Sequence, residues 1–140
     1  YQAVVVDGGT AINDDVVLSA MQSSNMVFLV VTQDFPAIRN AQRYMSFLMR
    51  MGFSQDQVKI VINRYSKKTD ANLATLEQVN QTLNNPAFYG IPTSPAWLQA
   101  LNKSRPLAAQ REMAPEIDRV FRSFVDKATG GKRDAVAKSA

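Results

Sequence analysis

The stretch MVFLVVTQDFP (residues 26–36) begins with an unbroken apolar run and ends with residues that start helices. Thr32 and Asp34 are typical helix-capping residues, and Pro36 stands where the first turn of a helix tolerates proline. Apolar residues then recur at helical spacing as far as Gly52, a common helix stop. The stretch therefore predicts a buried strand followed by an amphipathic helix.

The same order of strand and helix repeats along the chain. Strands that are apolar throughout need cover on both faces, and helical crossovers between them make a sheet parallel. The pattern therefore predicts an α/β fold, a doubly wound and mostly parallel sheet with flanking helices. The predicted strands are Tyr1–Val6, Met26–Val31, Val58–Ile62 and Ala87–Ile91, and the predicted helices are Ile12–Ser24, one after Pro36, one capped by Asp70, Pro95–Asn102 and one from Pro115.

Length and composition limit the class of protein. A chain of 140 residues can bury the core of one domain; we predict that residues 1–128 form it and that the polar tail, residues 129–140, is disordered. The absence of Cys and His removes disulfides, thiolate nucleophiles and the usual zinc ligands. Any chemistry must therefore use carboxylates, amides, hydroxyls, Lys or Arg.

Charge and hydropathy favour a cytoplasmic protein. The net charge of +4 is small and dispersed, so we expect no specific nucleic-acid binding. No apolar stretch approaches the roughly 20 residues that span a bilayer, and no signal-peptide pattern occurs, so we expect no transmembrane segment. The first predicted strand starts at Tyr1 itself, and we expect further sequence upstream of it.

Polar residues follow the predicted strands, at the edge where parallel α/β sheets bind ligands. Asp7 and two glycines follow the first strand, and a carboxylate there could hold Mg²⁺ through water. Asn63 follows the third strand, and its amide offers the donor and acceptor that match an edge of adenine. Each residue also has a purely structural interpretation, because Asp often caps helices and Asn is common in loops.

Taken in order, five segments resemble a known family. They read VVD (residues 5–7), VVTQDFPAIRNA (30–41), VINRY (61–65), GIPT (90–93) and ALNKSRPL (100–107). Together they are similar to the carboxyl-terminal portion of MinD/ParA-type P-loop ATPases, over about residues 1–127. The resemblance looks closest to the CpaE/TadZ branch, which is associated with assembly of Flp-type pili.

The resemblance implies an ATPase that binds ATP and Mg²⁺, forms a homodimer around the nucleotide and acts in localisation or assembly of a Flp/Tad-type pilus. Asp7 matches the Walker B or switch acid, which carries the catalytic and metal contacts. Asn63 matches the adenine-contacting amide with Arg64 beside it, and Pro92 matches the segment that flanks the base. The implied partners are pilus-assembly or polar-localisation proteins, which would hold this cytoplasmic protein at the inner membrane or the cell pole.

The chain departs from the family at the phosphate-binding loop. The Gly-rich Walker A loop with its lysines would lie upstream of Tyr1, so these residues lack the anchor for the triphosphate. Gly8–Gly9 also stands where many relatives have a proline soon after the acid. We therefore expect no ATP hydrolysis by this segment alone.

Two other functional classes stay open. The first is a nonenzymatic scaffold that keeps the ATPase-like fold and recruits partners. The second is a phosphoacceptor receiver domain, because Asp7 and Thr32 imitate its acid and hydroxyl, although Asn63 and Arg64 replace the lysine that such a domain needs.

Overall fold

The computed structural model describes residues 3–10, 14–67, 70–102 and 115–130. The chain divides into two compact units, Tyr1–Gly90 and Ile91–Ala140. Helices and strands follow one another in the order α1 (Asp15–Gln22), β1 (Val27–Val31), α2 (Phe35–Arg50), β2 (Val58–Tyr65), α3 (Leu76–Leu83), β3 (Ala87–Pro92), α4 (Ala96–Asn102) and α5 (Pro115–Thr129).

The strands form a three-stranded sheet in the order β1-β2-β3. β1 and β2 are parallel, in a register that runs from Val27 opposite Val58 to Val31 opposite Ile62. A parallel pair of strands needs a long crossover, and α2 supplies it. The predicted parallel α/β sheet with flanking helices is therefore confirmed.

The core of the first unit combines one side of β1 and β2 with the apolar stripes of α2 and α3. Leu48 of α2 and Ile60 of β2 are almost completely buried. Met45 belongs to this core, as its position on the apolar stripe predicts. The buried members of the cluster are Val27, Val31, Ile38, Ala41, Met45, Leu48, Phe53, Val58, Ile60, Ile62, Ala74, Val79 and Leu83.

Both ends of α2 are determined by local sequence. Asp34 is the N-cap, and its carboxylate accepts a hydrogen bond from the Ala37 N–H at 2.9 Å. At the other end the Gly52 N–H donates to Met49 O and the Phe53 N–H donates to Leu48 O, both at 3.1 Å. With Gly52 at φ +92°, this is a Schellman motif, which satisfies carbonyls that the helix leaves open.

Asp34 makes the stability of α2 sensitive to acid. The Thr32 hydroxyl and then the Ala37 N–H donate to its carboxylate and hold the pKa of Asp34 below its ordinary value. A lowered folded-state pKa stabilises the fold above the unfolded-state pKa, and this contribution is lost as the pH falls below about 4 and through the folded-state value. We expect Asp34→Ala to lower the free energy of unfolding at pH 7 by about 1–2 kcal/mol.

Asn at the same position is the matched control for this prediction, because it caps helices as well as Asp does but does not titrate. Chemical denaturation at pH 7 and in acid measures both variants against the native chain. The native chain should lose its advantage over Asp34→Asn in acid. A difference between these two chains that is the same at every pH would contradict the argument.

The predicted first strand is wrong for the residues that the structure describes. Residues 3–8 are irregular, and the side chains of Val4, Val5 and Val6 are 78%, 93% and 65% exposed. β-branched residues favour a strand, but a strand also needs a neighbour that takes its backbone hydrogen bonds. In the described ranges the sheet contains β1, β2 and β3, and none of these strands pairs with residues 3–8, so the run lacks such a neighbour there.

The start of α3 also differs from the prediction. Asp70 does not cap the helix, since its carboxylate accepts the N–H of Asn72 at 2.8 Å in a turn. The cap is Thr75, whose hydroxyl accepts the Gln78 N–H at 3.2 Å while Gln78 Oε1 accepts the Thr75 N–H at 2.8 Å. This reciprocal capping box satisfies two helix-end donors at once, and it displaces the start by one turn and a half.

The second unit contains α4 and α5. The indole ring of Trp97 meets the ring of Phe121 edge to face, with centroids 5.4 Å apart, and Ile117 is buried. α5 extends to Thr129, one residue into the predicted tail, and residues 131–140 lie outside the described residues. Within the described ranges, no helix is both long and apolar enough to cross a membrane.

Candidate functional site

The residue triplet Asn63, Arg64 and Tyr65 forms the last part of β2, instead of following the strand as predicted. The side chain of Asn63 is half-buried, and its Oδ1 accepts the Arg64 N–H at 2.9 Å. Asn63 Nδ2 has no hydrogen-bond partner in the described part of the chain. The amide of Asn63 can therefore donate to a ligand, and the second lone pair of Oδ1 can still accept.

The backbone at Arg64 adopts a conformation that residues other than glycine rarely take. Its φ is +55°, in the left-handed region, although Arg64 lies within a strand. Such a conformation costs about 1–3 kcal/mol and persists only where the surroundings impose it, often at functional sites. The hydrogen bond from the Arg64 N–H to the Asn63 side chain is one contact that favours it.

Tyr65 lies against the backbone of the neighbouring strand at Gly90. A Cβ atom added to Gly90 would lie 3.1 Å from Cδ1 and Cγ of the Tyr65 ring. That distance is shorter than ordinary van der Waals contact, so Gly90 provides the space for the ring. The ring covers the strand at a position that has no side chain of its own.

Gln33, directly after β1, connects three separate segments. Its Nε2 donates to Ala74 O at 2.9 Å and to Ser66 O at 3.3 Å, and its Oε1 accepts the Ser66 N–H at 2.7 Å. The backbone carbonyl of Gln33 also accepts the Ala74 N–H at 2.8 Å. Only 5% of the Gln33 side chain is exposed, so these bonds hold the loop after β2 and the approach to α3 in place.

A small cavity lies at this carboxyl edge of β1 and β2. Its volume is about 70 Å³, and Gln33, Tyr65 and Ser66 contribute to its wall. Sites for drug-sized ligands usually measure about 300–1,000 Å³, whereas a water molecule needs about 30 Å³. The cavity can therefore hold water but not a nucleotide base.

Asp7 lies in an exposed turn of the first unit. Its Oδ1 accepts the Gly9 N–H at 3.0 Å, and Gly9 has a φ of +58°. The described residues contain no group of three or more His, Cys, Asp or Glu side chains that could hold a metal ion. One accessible carboxylate suits Mg²⁺, which keeps several waters when bound, but a firm site needs further oxygen ligands.

Pro92, the last of the predicted site residues, ends β3 and belongs to the second unit. Its carbonyl accepts a hydrogen bond from the Trp97 indole N–H at 3.4 Å. The structure thus places Asn63 and Arg64 side by side in one strand and places Asp7 in a separate turn. The Asn63 amide and the Asp7 carboxylate are groups of the kind that an adenine edge and Mg²⁺ accept, and the described part of the chain contains no Gly-rich cradle for phosphates.

Sequence comparison relates the chain to a septum site-determining protein. No protein-family model matches the chain. Over 92 residues, or 64% of the chain, it is 27% identical to the septum site-determining protein MinD of Thermotoga maritima. The chain is similar to MinD and ParA family ATPases. The matched region spans about a third, 34%, of that relative.

Solved structures share the fold. A ParA family ATPase from Chlorobium tepidum superposes with a TM-score of 0.61 over 74% of this chain and 40% of that one, at 16% identity. MinD of Aquifex aeolicus in its MinC:MinD complex gives 0.59 over 71% and 41%, at 19% identity. At this identity the likeness establishes the fold alone, which is the predicted P-loop NTPase-like one. With the sequence match, it supports a MinD/ParA-type fragment.

Sequence reasoning missed two residues that shape the carboxyl edge. Gln33 lies in the segment of residues 30–41 with no predicted role, yet it is buried and connects β1 to both following segments. An uncharged polar residue between two capping residues was the available signal. Gly90 likewise had no predicted role, although a glycine within a strand pattern often marks a close approach of another group.

Proposed function

We propose that this chain is the carboxyl-terminal part of an ATP-binding domain of MinD/ParA type. The strained Asn63–Arg64 step at the end of β2 is the observation that carries the proposal, because it offers an amide donor and acceptor at the sheet edge where nucleotides bind. The 27% identity to a MinD protein supports it.

In this proposal the nucleotide contacts are divided between this chain and a phosphate-binding loop outside it. Asn63 pairs with the adenine edge, Arg64 lies beside it, and Pro92 flanks the base. Asp7 acts as the Walker B or switch acid and holds Mg²⁺ through water. The bound ATP and Mg²⁺ would supply the reacting phosphates and the charge that stabilises their transfer.

We further propose that the parent protein forms a homodimer around ATP and works in localisation or assembly of a Flp/Tad-type pilus. The MinC:MinD complex of Aquifex aeolicus is a precedent for recruitment of a protein partner by a protein of this fold. Such a protein would act from the cytoplasm and reach the inner membrane or the cell pole through its partners.

Calorimetry with Mg²⁺-ATP tests the divided site. We expect no binding by the 140-residue chain and clear binding by a chain extended upstream of Tyr1 along its own coding sequence. Loss of one paired amide contact costs about 1–3 kcal/mol, so Asn63→Ala in the extended chain should weaken binding by about 10–100-fold. Asn40→Ala, at an exposed position of α2, is the matched control and should leave the affinity unchanged.

Different outcomes separate the candidate functions. ATP turnover by the 140-residue chain would overturn the divided site. If the extended chain bound ATP equally well with and without Asn63→Ala, Asn63 would not be part of the nucleotide site. No binding by either length would favour the nonenzymatic scaffold, in which the fold recruits partners without nucleotide.

A further inference from the structure

A buried side chain holds the backbone just after the strained Asn63–Arg64 step. The Ser66 N–H donates to Gln33 Oε1 at 2.7 Å, and Gln33 Nε2 donates to Ser66 O at 3.3 Å. Both bonds join the same two residues, so together they restrain the φ and the ψ of Ser66. Because Ser66 lies two residues after Arg64, this restraint also limits the conformations open to Arg64.

Gln33 is itself fixed in place. Its Nε2 also donates to Ala74 O at 2.9 Å, and its backbone carbonyl accepts the Ala74 N–H at 2.8 Å. Gln33 is 5% exposed and Ala74 is 2% exposed, so water does not compete for these bonds. A buried side chain whose amide is bonded through both its nitrogen and its oxygen has little freedom to move, and it can therefore hold Ser66 at a defined position.

The strained backbone at Arg64 needs such a restraint. Its φ of +55° is unfavourable for arginine, and an unfavourable conformation persists only where neighbouring contacts impose it. The bond from the Arg64 N–H to Asn63 Oδ1 is exposed, so water competes with it. The better protected contacts lie on the other flank, where Tyr65 packs against the core and Gln33 holds Ser66. These contacts therefore decide the conformation of the step.

We propose that Gln33 is a positioning residue for nucleotide recognition. Through Ser66 it holds the Asn63–Arg64 step in the conformation that presents the Asn63 amide to an adenine edge, and Gln33 itself does not touch the nucleotide. A paired donor and acceptor distinguish one base from another only when both are in place, so a displaced amide loses base selectivity first. In the divided site the phosphate contacts come from the loop outside this chain and do not depend on Gln33. This inference rests on the proposed function.

Nuclear magnetic resonance of the 140-residue chain without nucleotide tests the positioning role directly. A positive φ brings the amide proton and the α-proton of a residue closer together than a negative φ does, so Arg64 should show a strong intraresidue nuclear Overhauser effect. In Gln33→Ala this signal should fall to the level of the other residues of β2. A signal of native strength in the folded Gln33→Ala chain would overturn the proposal.

Leu48→Ala is the control for loss of stability alone. Leu48 is buried in the last turn of α2, and its truncation destabilises the fold without removing a bond to Ser66. We expect the Arg64 signal to keep its native strength in this variant, and an equal loss in both variants would overturn the proposal. Should Gln33→Ala not fold, Gln33→Met takes its place, because methionine keeps the length of the side chain and removes both hydrogen-bonding groups.

Base selectivity in the chain extended upstream of Tyr1 is the functional readout. Calorimetry compares Mg²⁺-ATP with Mg²⁺-ITP, whose base has an oxygen in place of the N6 amino group of adenine. We expect the native extended chain to prefer ATP by about 10–100-fold, and we expect Gln33→Ala to reduce this preference to less than about threefold. The ratio of the two affinities does not depend on the fraction of folded protein, because both nucleotides bind the folded state. Leu48→Ala should therefore keep the native ratio.

The outcomes separate this inference from the proposed function. A native extended chain that binds ATP and ITP equally would overturn the adenine contact of Asn63 and, with it, the inference. A native preference for ATP that Gln33→Ala retains would leave the proposed function and overturn the positioning role. A preference lost equally in Gln33→Ala and Leu48→Ala would also overturn that role, because destabilisation alone would then explain the loss.

Discussion

Replacing Gln33 with alanine should lower the free energy of unfolding by about 2–4 kcal/mol, a large share of the stability of a small domain. Gln33 is only 5% exposed, and the substitution removes the side chain that bonds to the Ser66 N–H and to the Ala74 carbonyl. A buried polar group that loses its partner keeps the cost of desolvation. Urea denaturation followed by circular dichroism measures the change.

Two further variants show whether the hydrogen bonds cause the loss. Gln33→Glu keeps the shape but replaces the donor that faces Ala74 O and Ser66 O with an acceptor, so it should be destabilised like Gln33→Ala. Gln42→Ala, at an exposed position of α2, should change stability by less than about 0.5 kcal/mol. A Gln33→Glu variant as stable as the native chain would contradict the assigned role.

Replacing Leu48 with alanine should cost about 3–5 kcal/mol of stability. Leu48 is 1% exposed and lies in the core cluster with Ile60 of β2, so the truncation removes apolar contacts and leaves a cavity. Interiors are closely packed, and the rigid sheet beneath α2 limits how far the neighbours can fill the space. The same denaturation experiment measures the loss.

Leu76→Ala is the matched control for this prediction. Leu76 is also a helical leucine, but 40% of it is exposed, so its truncation should cost less than about 1 kcal/mol. If the two leucine variants unfolded at the same urea concentration, the core would not be centred on α2 and the sheet as described.

Much of the fold follows from local patterns. The apolar run of residues 26–31, the cap at Asp34 and the stop at Gly52 each act on neighbours in sequence. The cap and the stop occur as predicted, and the strand begins at Val27, one residue later than predicted. The predicted start of α3 was wrong because both Asp70 and Thr75 can cap a helix. Thr75 also has Gln78 three residues later, which completes a capping box. The choice between two nearby capping residues therefore depends on which of them has a capping-box partner.

The candidate site was less predictable than the fold. Asn63 was identified from its position after an apolar run, yet the strand continues through it to Tyr65. The positive φ of Arg64 has no signal in the sequence, because arginine rarely adopts it. The roles of Asp7, Asn63, Arg64 and Pro92 remain predictions that the binding experiments test.

By itself the sequence determined the order of strands and helices, the parallel class of the sheet and the ends of α2, because these depend on periodicity and on residues within one helical turn. Only the tertiary structure decided that Gln33 bonds to residues 33 and 41 positions away, that Tyr65 covers Gly90, and that residues 4–6 have no partner strand in the described ranges. These features depend on which strands lie side by side, and strand neighbours are set by packing over the whole domain and not by local propensity.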